Sequence, residues 1–134
     1  MISWRLFSHI EENVLNYLVR PVVDVELKWR SEKIIQRMYL DSGADISLIP
    51  LSVGESLGLE ITDDIKEMKG IGNIPIAVII KSINIRLCDK EFTAKVAWCL
   101  IEEVPPLLGR MDIFDKFEII FMEKEKTIVI YSED

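Results

Sequence analysis

The chain has 134 residues, of which 49% are hydrophobic and 29% charged, and its net charge is −7. This length and composition fit one globular domain with a real core, and they exclude a disordered or collagen-like chain. The acidic residues are scattered and no basic stripe follows the sequence, so nucleic acid is not an expected partner.

The cysteines and the apolar runs bear on where the protein works. Cys88 and Cys99 are the two cysteines. A chain of this size does not need disulfides, which favours a reduced, cytoplasmic setting, although the two thiols could also form a single disulfide. The longest apolar run, 74–80, is too short to cross a bilayer, and the N-terminus lacks a signal-peptide apolar region. We therefore expect a cytoplasmic protein without a membrane partner.

The first twenty residues carry two conflicting patterns. Ser8 and Glu11 have the spacing of a helix-capping box, whereas the apolar residues of 2–6 alternate as in a strand. We assign residues 1–20 to an N-terminal arm of uncertain structure. Extended backbone is favoured there, because no helix stop precedes the first clear strand.

From residue 21 the pattern becomes that of β-strands. Hydrophobic and charged residues alternate over 23–29, a period of two that is typical of a half-buried strand. The polar residues 30–33 predict a turn, and the apolar run 34–40 predicts a returning strand that ends at Asp41. The two strands are expected to form a hairpin.

The turn after this hairpin is the most informative stretch, and it reads Asp41-Ser42-Gly43-Ala44-Asp45. A carboxylate at the end of a buried strand loses solvation. Proteins usually keep one there only if it is paired, hydrogen-bonded or used in chemistry. Asp41 is therefore the first candidate for catalysis.

The following segments are short. Residues 46–49 continue as a strand. A short helix is predicted next, with Pro50 at its first helical position and Gly58 just beyond its end. Two extended arms over 65–87 then flank a glycine-rich tip, Gly70-Ile71-Gly72. This last pattern predicts a hairpin with a mobile tip.

The C-terminal third is again rich in strand signals. A strand is predicted over 92–99 and a second apolar run at Leu107-Leu108-Gly109, followed by one or two helical turns over 110–116. A closing hairpin is expected to pair 117–121 with 127–131 across a charged turn. Because many short strands alternate with frequent turns, and only one or two short helices are predicted, the chain is expected to be an all-β barrel or sandwich.

In this order and spacing, the motifs resemble those of the retropepsin-like aspartic proteases, the single-domain type from retroviruses, bacteria and archaea. The Asp-Ser/Thr-Gly-Ala signature corresponds to 41–44, the flap to 68–72 and the closing apolar-apolar-Gly motif to 107–109. The resemblance covers residues 21–131 and leaves 132–134 as a C-terminal tail. It implies the acid protease fold, a closed β-barrel with a flap hairpin.

The resemblance also implies roles for individual residues. The catalytic set would be Asp41, Ser42 and Gly43, with the Ser42 hydroxyl bonding across a dimer. The substrate-binding residues would be Ala44, Asp45, Gly70, Ile71 and Gly72. Structural support would come from Leu107, Leu108, Gly109 and Arg110, with the Arg110 guanidinium paired to the Asp45 carboxylate. No metal and no cofactor is implied.

Apolar residues near these motifs could line side-chain pockets and favour cleavage between hydrophobic residues. The candidates are Ala44, Ile71, Ile76 and Leu108. Each of them fits a place in the core equally well, so the sequence does not rank them.

A single catalytic motif implies a homodimer. Aspartic proteolysis uses two carboxylates that share a proton, and the other aspartates of this chain are not followed by Ser-Gly or Thr-Gly. The second carboxylate is therefore expected from another copy of the chain, related by a two-fold axis. The predicted function is that of an aspartic endopeptidase acting on a peptide or protein substrate.

Two alternatives stand beside this prediction. The chain could be a retropepsin-like domain that dimerises or binds peptides without proteolysis, because a correct motif does not by itself establish flap closure, dimer strength or a substrate. In the retroviral relatives the chain ends interleave to build the dimer, so the different N-terminus here could give a different interface or a weaker dimer. Asp41 and Asp45 could also hold magnesium for phosphoryl transfer. That second alternative would need an α/β fold and a phosphate-binding loop, and neither is indicated.

Overall fold

The computed structural model describes residues 2–7, 9–12, 17–69, 73–125 and 127–132. These ranges hold twelve β-strands and one short α-helix, with a five-residue π-helical turn near the C-terminus. The strands are β1 (Ile2–Phe7), β2 (His9–Glu12), β3 (Tyr17–Arg20), β4 (Val22–Trp29), β5 (Glu32–Leu40), β6 (Ser47–Ile49), β7 (Lys66–Lys69), β8 (Pro75–Leu87), β9 (Lys90–Cys99), β10 (Leu107–Leu108), β11 (Glu118–Met122) and β12 (Thr127–Ser132). The helix is α1 (Leu51–Ser56). The π-helical turn is Arg110–Phe114, but Met111 and Asp112 inside it have non-helical backbone angles, with Asp112 at a φ of 63°, so the helical turns predicted over 110–116 form only in part.

The hairpin before Asp41 forms as predicted. Strands β4 and β5 pair antiparallel along their length, and the inward residues of β4 are buried while the alternating charged ones are not. The turn is shorter than expected, because Glu32 pairs with Trp29 and Lys33 with Lys28. Only Arg30 and Ser31 make the turn, with Arg30 at a positive φ of 54°.

The central sheet closes into a barrel. Its strand order is β4-β5-β10-β6-β9-β8, and a further pairing of β8 with β4 joins the two ends of this series. The outer arm β7 is added along the first part of β8. The chain is therefore all-β with a closed barrel, as the resemblance implied, and the sandwich alternative is wrong.

The chain ends meet in a second sheet. Strand β12 lies between β1 and β11 and pairs antiparallel with both. Strands β2 and β3 form a separate antiparallel pair. The described part of residues 1–20 is thus extended backbone, the alternative that the sequence favoured there.

Helix α1 begins one residue later than predicted. Pro50 is its N-cap rather than its first helical residue, and Gly58, at a φ of 81°, follows the C-cap. Gly54 is buried in the middle of the helix. The Trp98 indole packs so closely against it that a larger side chain would overlap the ring, which explains the glycine at this position. The indole Nε1 donates a hydrogen bond to the Leu51 carbonyl at 3.1 Å, which ties the helix to β9.

Apolar side chains form two clusters. The larger fills the barrel and includes Trp98, Leu27, Met38 and Leu108. The smaller, called here the flap-side cluster, has three buried members, and the half-buried side chains around it come from four parts of the chain. Its members are Val78, Ala97 and Cys99, with Ile46, Leu48, Met68, Ile76, Ile80 and Val104 packed against them.

The two cysteines are free thiols. Cys88 precedes β9 and Cys99 ends it, and a ten-residue strand spans about 33 Å, so the disulfide alternative is wrong. Burial raises the pKa of each thiol to about 11, with the neighbouring Asp89 carboxylate adding to the effect at Cys88. Both thiols are therefore protonated and weakly nucleophilic near neutral pH.

Among the described residues, no helix combines the length and apolar character needed to cross a membrane.

Candidate active site

Asp41 lies at the end of β5, at the point where the barrel strand gives way to a turn, and it is half-buried. Its Oδ1 accepts a hydrogen bond from the Gly43 amide at 2.9 Å, and its carbonyl accepts one from the Ala44 amide at 3.2 Å. These bonds fix the turn locally. Within the described residues, the hydrogen bonds of the Asp41 carboxylate involve Oδ1 and not Oδ2.

The two-residue strand β10 holds the end of β5 in place. Leu107 lies between Tyr39 of β5 and Leu48 of β6, and the Asp41 amide donates to the Leu108 carbonyl at 3.0 Å. The Leu108 side chain is 0% exposed and belongs to the barrel core. Leu108 therefore supports the site, and the suggestion that it lines a side-chain pocket is wrong.

Gly109 is the point of closest approach between the closing motif and the acidic turn. A Cβ there would lie 2.5 Å from the carbonyl carbon of Ile46 and 2.9 Å from the carbonyl oxygen of Ala44, both backbone atoms. Only glycine permits this approach without a backbone shift. The apolar-apolar-Gly motif is thus explained by packing as well as by resemblance.

Ser47 is a supporting residue that the sequence analysis missed. Its side chain is 0% exposed, and its hydroxyl oxygen accepts a hydrogen bond from the Gly109 amide at 3.0 Å. The available signal was a lone polar residue inside the apolar run 46–49. A buried hydroxyl needs a hydrogen-bond partner, which in this case lies 62 residues away.

The predicted brace between Asp45 and Arg110 is made by the backbone instead of by the side chains. The Arg110 amide donates to the Ala44 carbonyl at 2.8 Å, and the Met111 amide donates to the Asp45 carbonyl at 2.9 Å. In the described part of the chain, the ion pairs do not include one between Arg110 and Asp45. Both residues are exposed, and water competes well with an exposed ion pair that must also order a long arginine side chain.

The two arms predicted for the flap form a hairpin of β7 and the first part of β8. Strands β7 and β8 pair antiparallel from Lys66 opposite Val78 to Lys69 opposite Pro75. The predicted tip, Gly70-Ile71-Gly72, lies outside the described residues. Met68 and Ile76 of the arms pack against the buried members of the flap-side cluster, and so do Ile46 and Leu48, which follow the acidic turn in the sequence.

The remaining predicted residues of the turn differ in exposure. Ser42 and Gly43 are exposed and Ala44 is half-buried. The Gly43 amide bonds to Asp41 within the chain, whereas the hydrogen bond of Ser42 to a second copy stays a prediction. No three histidine, cysteine or acidic side chains of the described residues come together in a way that could hold a metal ion.

A search of solved structures found a chain with the same architecture, the EIAV protease complexed with the inhibitor HBY-793. The TM-score is 0.58, and the match covers 78% of this chain and 91% of the viral one at 18% sequence identity. The two chains share the retropepsin fold. At this identity the likeness concerns the fold alone.

Searches at the level of sequence gave no match. No protein-family model matches the chain, and neither does any curated protein. The residues at the end of β5, in the setting of the retropepsin fold, are therefore the best indication of function.

Proposed function

We propose that this protein is an aspartic endopeptidase whose active site is completed by a second copy of the chain. The observation that carries the proposal is the position of Asp41: in a barrel of retropepsin fold, it ends the strand that β10 flanks, on a turn held by backbone hydrogen bonds to 108–111. An ionisable side chain that is so firmly positioned and still partly open to solvent is suited to acid–base chemistry.

The proposed chemistry uses two Asp41 carboxylates, one from each copy. Two carboxylates brought together at a two-fold axis would share one proton, because it costs too much free energy for both to ionise. The ionised one takes a proton from a water molecule, which attacks the carbonyl carbon of the peptide bond. The protonated one donates a hydrogen bond to the carbonyl oxygen. The tetrahedral intermediate then collapses as the C–N bond breaks, and the amine leaves with the proton that the first carboxylate took from the water. No covalent enzyme intermediate forms.

The other residues of the site would position the substrate. Ser42 would link the two turns across the dimer, and Gly43 holds the Asp41 carboxylate through its amide. Ala44 and Asp45, together with the Gly70-Ile71-Gly72 tip, would hold an extended peptide by its backbone. Arg110 acts through its main chain, by the bond to Ala44.

Three of the other aspartates do not offer a partner carboxylate within one chain. The Asp112 carboxylate already accepts a hydrogen bond from the Lys95 amide at 2.9 Å. Asp63 and Asp64 are exposed in the segment between α1 and β7. None of these three shares the strand-end turn of Asp41, so a second copy is the simplest source of the partner carboxylate.

A second candidate is a peptide-binding or dimerising domain of retropepsin fold without proteolysis. One observation favours it. Strand β1 pairs with β12 inside a single chain from Ile2 opposite Ser132 to Phe7 opposite Thr127. The facing edges of β1 and β12 are therefore occupied within one chain, so a dimer formed at the chain ends would have to use the outer edges of β1 and β11, which pair with none of the described strands.

The test is cleavage of a diverse peptide mixture by the wild type and by Asp41→Asn, from acidic to neutral pH, with products identified by mass spectrometry. Asp63→Asn is the matched control, because it removes one exposed carboxylate outside the site. We expect pepstatin-sensitive cleavage by the wild type and the control but none by Asp41→Asn. Equal cleavage by all three proteins would overturn the proposal, and peptide binding without cleavage would favour the second candidate.

A further inference from the structure

The segment 100–106, called here the connecting loop, joins β9 to β10 and is bonded at both ends to the functional elements. At its start, the Leu100 amide donates to the carbonyl of Ala77, on the inner flap arm, at 2.9 Å. At its end, the Pro106 carbonyl accepts from the amide of Tyr39, two residues before Asp41, at 2.9 Å. The loop therefore bridges the flap and the catalytic strand.

The middle of the loop is fastened to helix α1 by one carboxylate. The Ser52 amide donates to Glu102 Oε1 at 2.8 Å, and the Ser52 hydroxyl donates to Oε2 at 2.6 Å. The Leu51 amide also donates to the Ile101 carbonyl at 3.1 Å. The first amides of a helix have no hydrogen-bond partners inside the helix, and Pro50 offers no side-chain cap. Glu102, 50 residues along the chain from Ser52, caps α1 instead.

Both oxygens of this carboxylate are engaged in its ionised form. The pKa of Glu102 is lowered by the hydrogen bond from the Ser52 hydroxyl and by that from the Ser52 amide. A carboxylate that accepts two short bonds from one residue is held in orientation as well as in place.

The connecting loop also contacts the flap-side cluster, through Val104. The Val104 amide donates to the Glu102 carbonyl at 2.8 Å, which makes a tight turn between the anchored residue and Val104. The Val104 side chain packs in the cluster that also contains Met68 and Ile76 of the flap arms and Ile46 beyond the acidic turn. The position of Glu102 thus sets where Val104 meets the flap arms.

We propose that Glu102 is a positioning residue for substrate binding, which acts through Ser52 to hold the connecting loop against the flap arms. This inference rests on the proposed proteolytic function. Glu102 does not touch the reacting atoms, so its removal should weaken peptide binding in the ground state and in the transition state alike. Loss of uniform binding raises KM and leaves kcat nearly unchanged.

The test compares Glu102→Ala with Glu103→Ala, the neighbouring acid in the same loop. Glu103 is exposed, and the described residues give it no hydrogen bond or ion pair. With a peptide that the wild type cleaves, we expect Glu102→Ala to raise KM by roughly three- to tenfold and to change kcat by less than about twofold. Glu103→Ala should match the wild type.

Ser52 provides the second arm of the experiment. Ser52→Ala removes one of the two bonds and should raise KM in the same direction, whereas Ser52→Thr keeps a hydroxyl and should restore the wild-type value. Hydrogen exchange without substrate should show faster exchange of the Leu100 and Val104 amides in Glu102→Ala than in Glu103→Ala. A purely structural role would lower the melting temperature without this split between KM and kcat.

The outcomes separate the two proposals. An active wild type with an unchanged KM in Glu102→Ala, or with equal KM changes in the two alanine variants, would overturn the positioning role and leave the protease proposal intact. A wild type that cleaves no peptide would overturn the protease proposal, and the positioning role in catalysis with it.

Discussion

Gly109 is the residue at which the closing motif is most sensitive to change. An added methyl group would meet backbone atoms of Ile46 and Ala44, which cannot rotate away as a side chain could. We expect Gly109→Ala to lower the free energy of unfolding by about 1–3 kcal/mol, the usual range for overpacking a buried site. Urea denaturation followed by tryptophan fluorescence measures this loss.

Gly43→Ala is the matched control for that experiment. A Cβ at Gly43 would meet only the Asp41 Oδ1 atom, at 3.2 Å, and Gly43 is exposed. The loss of stability should therefore be smaller than in Gly109→Ala, while peptide cleavage should fall because the Asp41 carboxylate is displaced. Equal stabilities of the two variants would contradict the packing role of Gly109.

Glu102 is expected to make the free energy of unfolding depend on pH, because its pKa in the folded protein is lowered. The pKa is lowered from an ordinary value of 4.5 by the bonds from Ser52. A carboxyl group whose pKa is lower in the folded protein stabilises the fold above the unfolded-state pKa, and this contribution disappears as the pH falls through the folded-state pKa.

The variant Glu102→Gln tests that direction. Its urea midpoint should lie below that of the wild type at pH 7, and the difference should shrink as the pH falls below 4.5. Because the group is exposed, the difference is expected to be small, so Glu103→Gln should be measured beside it. A difference that grows toward low pH would contradict the prediction.

At the residue scale, local patterns and long-range contacts differ in what the sequence can predict. The position of Asp41 follows from neighbouring residues, since an apolar strand and a small-residue turn frame it. The bonds from Ser52 to Glu102 and from Gly109 to Ser47 join residues 50 and 62 positions apart. No periodicity marks such pairs, and their partners become known only from the fold.

Helix α1 shows how an element can be decided by packing rather than by propensity. In an exposed helix, replacing glycine by alanine stabilises by about 1 kcal/mol. In α1 the same replacement at Gly54 would drive a methyl group into the Trp98 indole, which is held by its own hydrogen bond to Leu51. We expect Gly54→Ala to be destabilised by about 1–3 kcal/mol in urea denaturation.

Ser56→Ala is the control for the helix. Ser56 is the last residue of α1 and is exposed, so alanine there should leave stability unchanged or raise it slightly. The Trp98 fluorescence should shift in Gly54→Ala and stay unchanged in the control. A more stable Gly54→Ala protein would show that the helix can move away from β9.

At the element scale, the strands with clear alternation were predicted within a few residues of their ends. The hairpin β4–β5 is the clearest case, because its inward and outward residues differ in polarity. Helix α1 was predicted from Pro50 and Gly58. Gly54, a residue that usually disfavours a helix, is needed inside α1 because the Trp98 indole packs against it. The Asp45–Arg110 ion pair was an expectation from the family resemblance, and in the described residues backbone bonds make the connection between the two segments instead.

At the scale of the whole molecule, a shared active site makes activity depend on protein concentration. If each copy supplies one Asp41, dilution below the dimer dissociation constant should lower the activity per mole of chain. Sedimentation or light scattering on the same dilution series should show dimers giving way to monomers. Full activity per chain in a purely monomeric sample would contradict the shared site.

Mixing wild type with Asp41→Asn gives an independent test of the same prediction. In a freely exchanging equimolar mixture, half of the wild-type chains pair with an inactive copy, so the activity per wild-type chain should fall to about one half. The control adds the same amount of Asp63→Asn, which should raise total activity in proportion. No loss with Asp41→Asn would indicate that each chain works alone.

The all-β class could be predicted from frequent short strands, but the closure of the barrel could not. Closure depends on β8 meeting β4, residues that are far apart in the sequence and that have no matching pattern. The same limit applies to β10, whose two residues carry too little periodicity to identify a neighbour. The family motifs supplied what the patterns lacked, since they gave the order of the elements together with their spacing.

Strand β8 has a mechanical consequence that follows from its partners. Its thirteen residues span about 43 Å. The outer edge pairs with β7 up to Val78 and with β4 from Asn84 onward, and the strand pairs with β9 on its other edge. Between those two points, over 79–83, the described strands support β8 from one side only. This stretch is where β8 can bend most easily between its pairing with β7 and its pairing with β4. If β7 and the first part of β8 move as a flap, stiffening 79–83 should slow that motion.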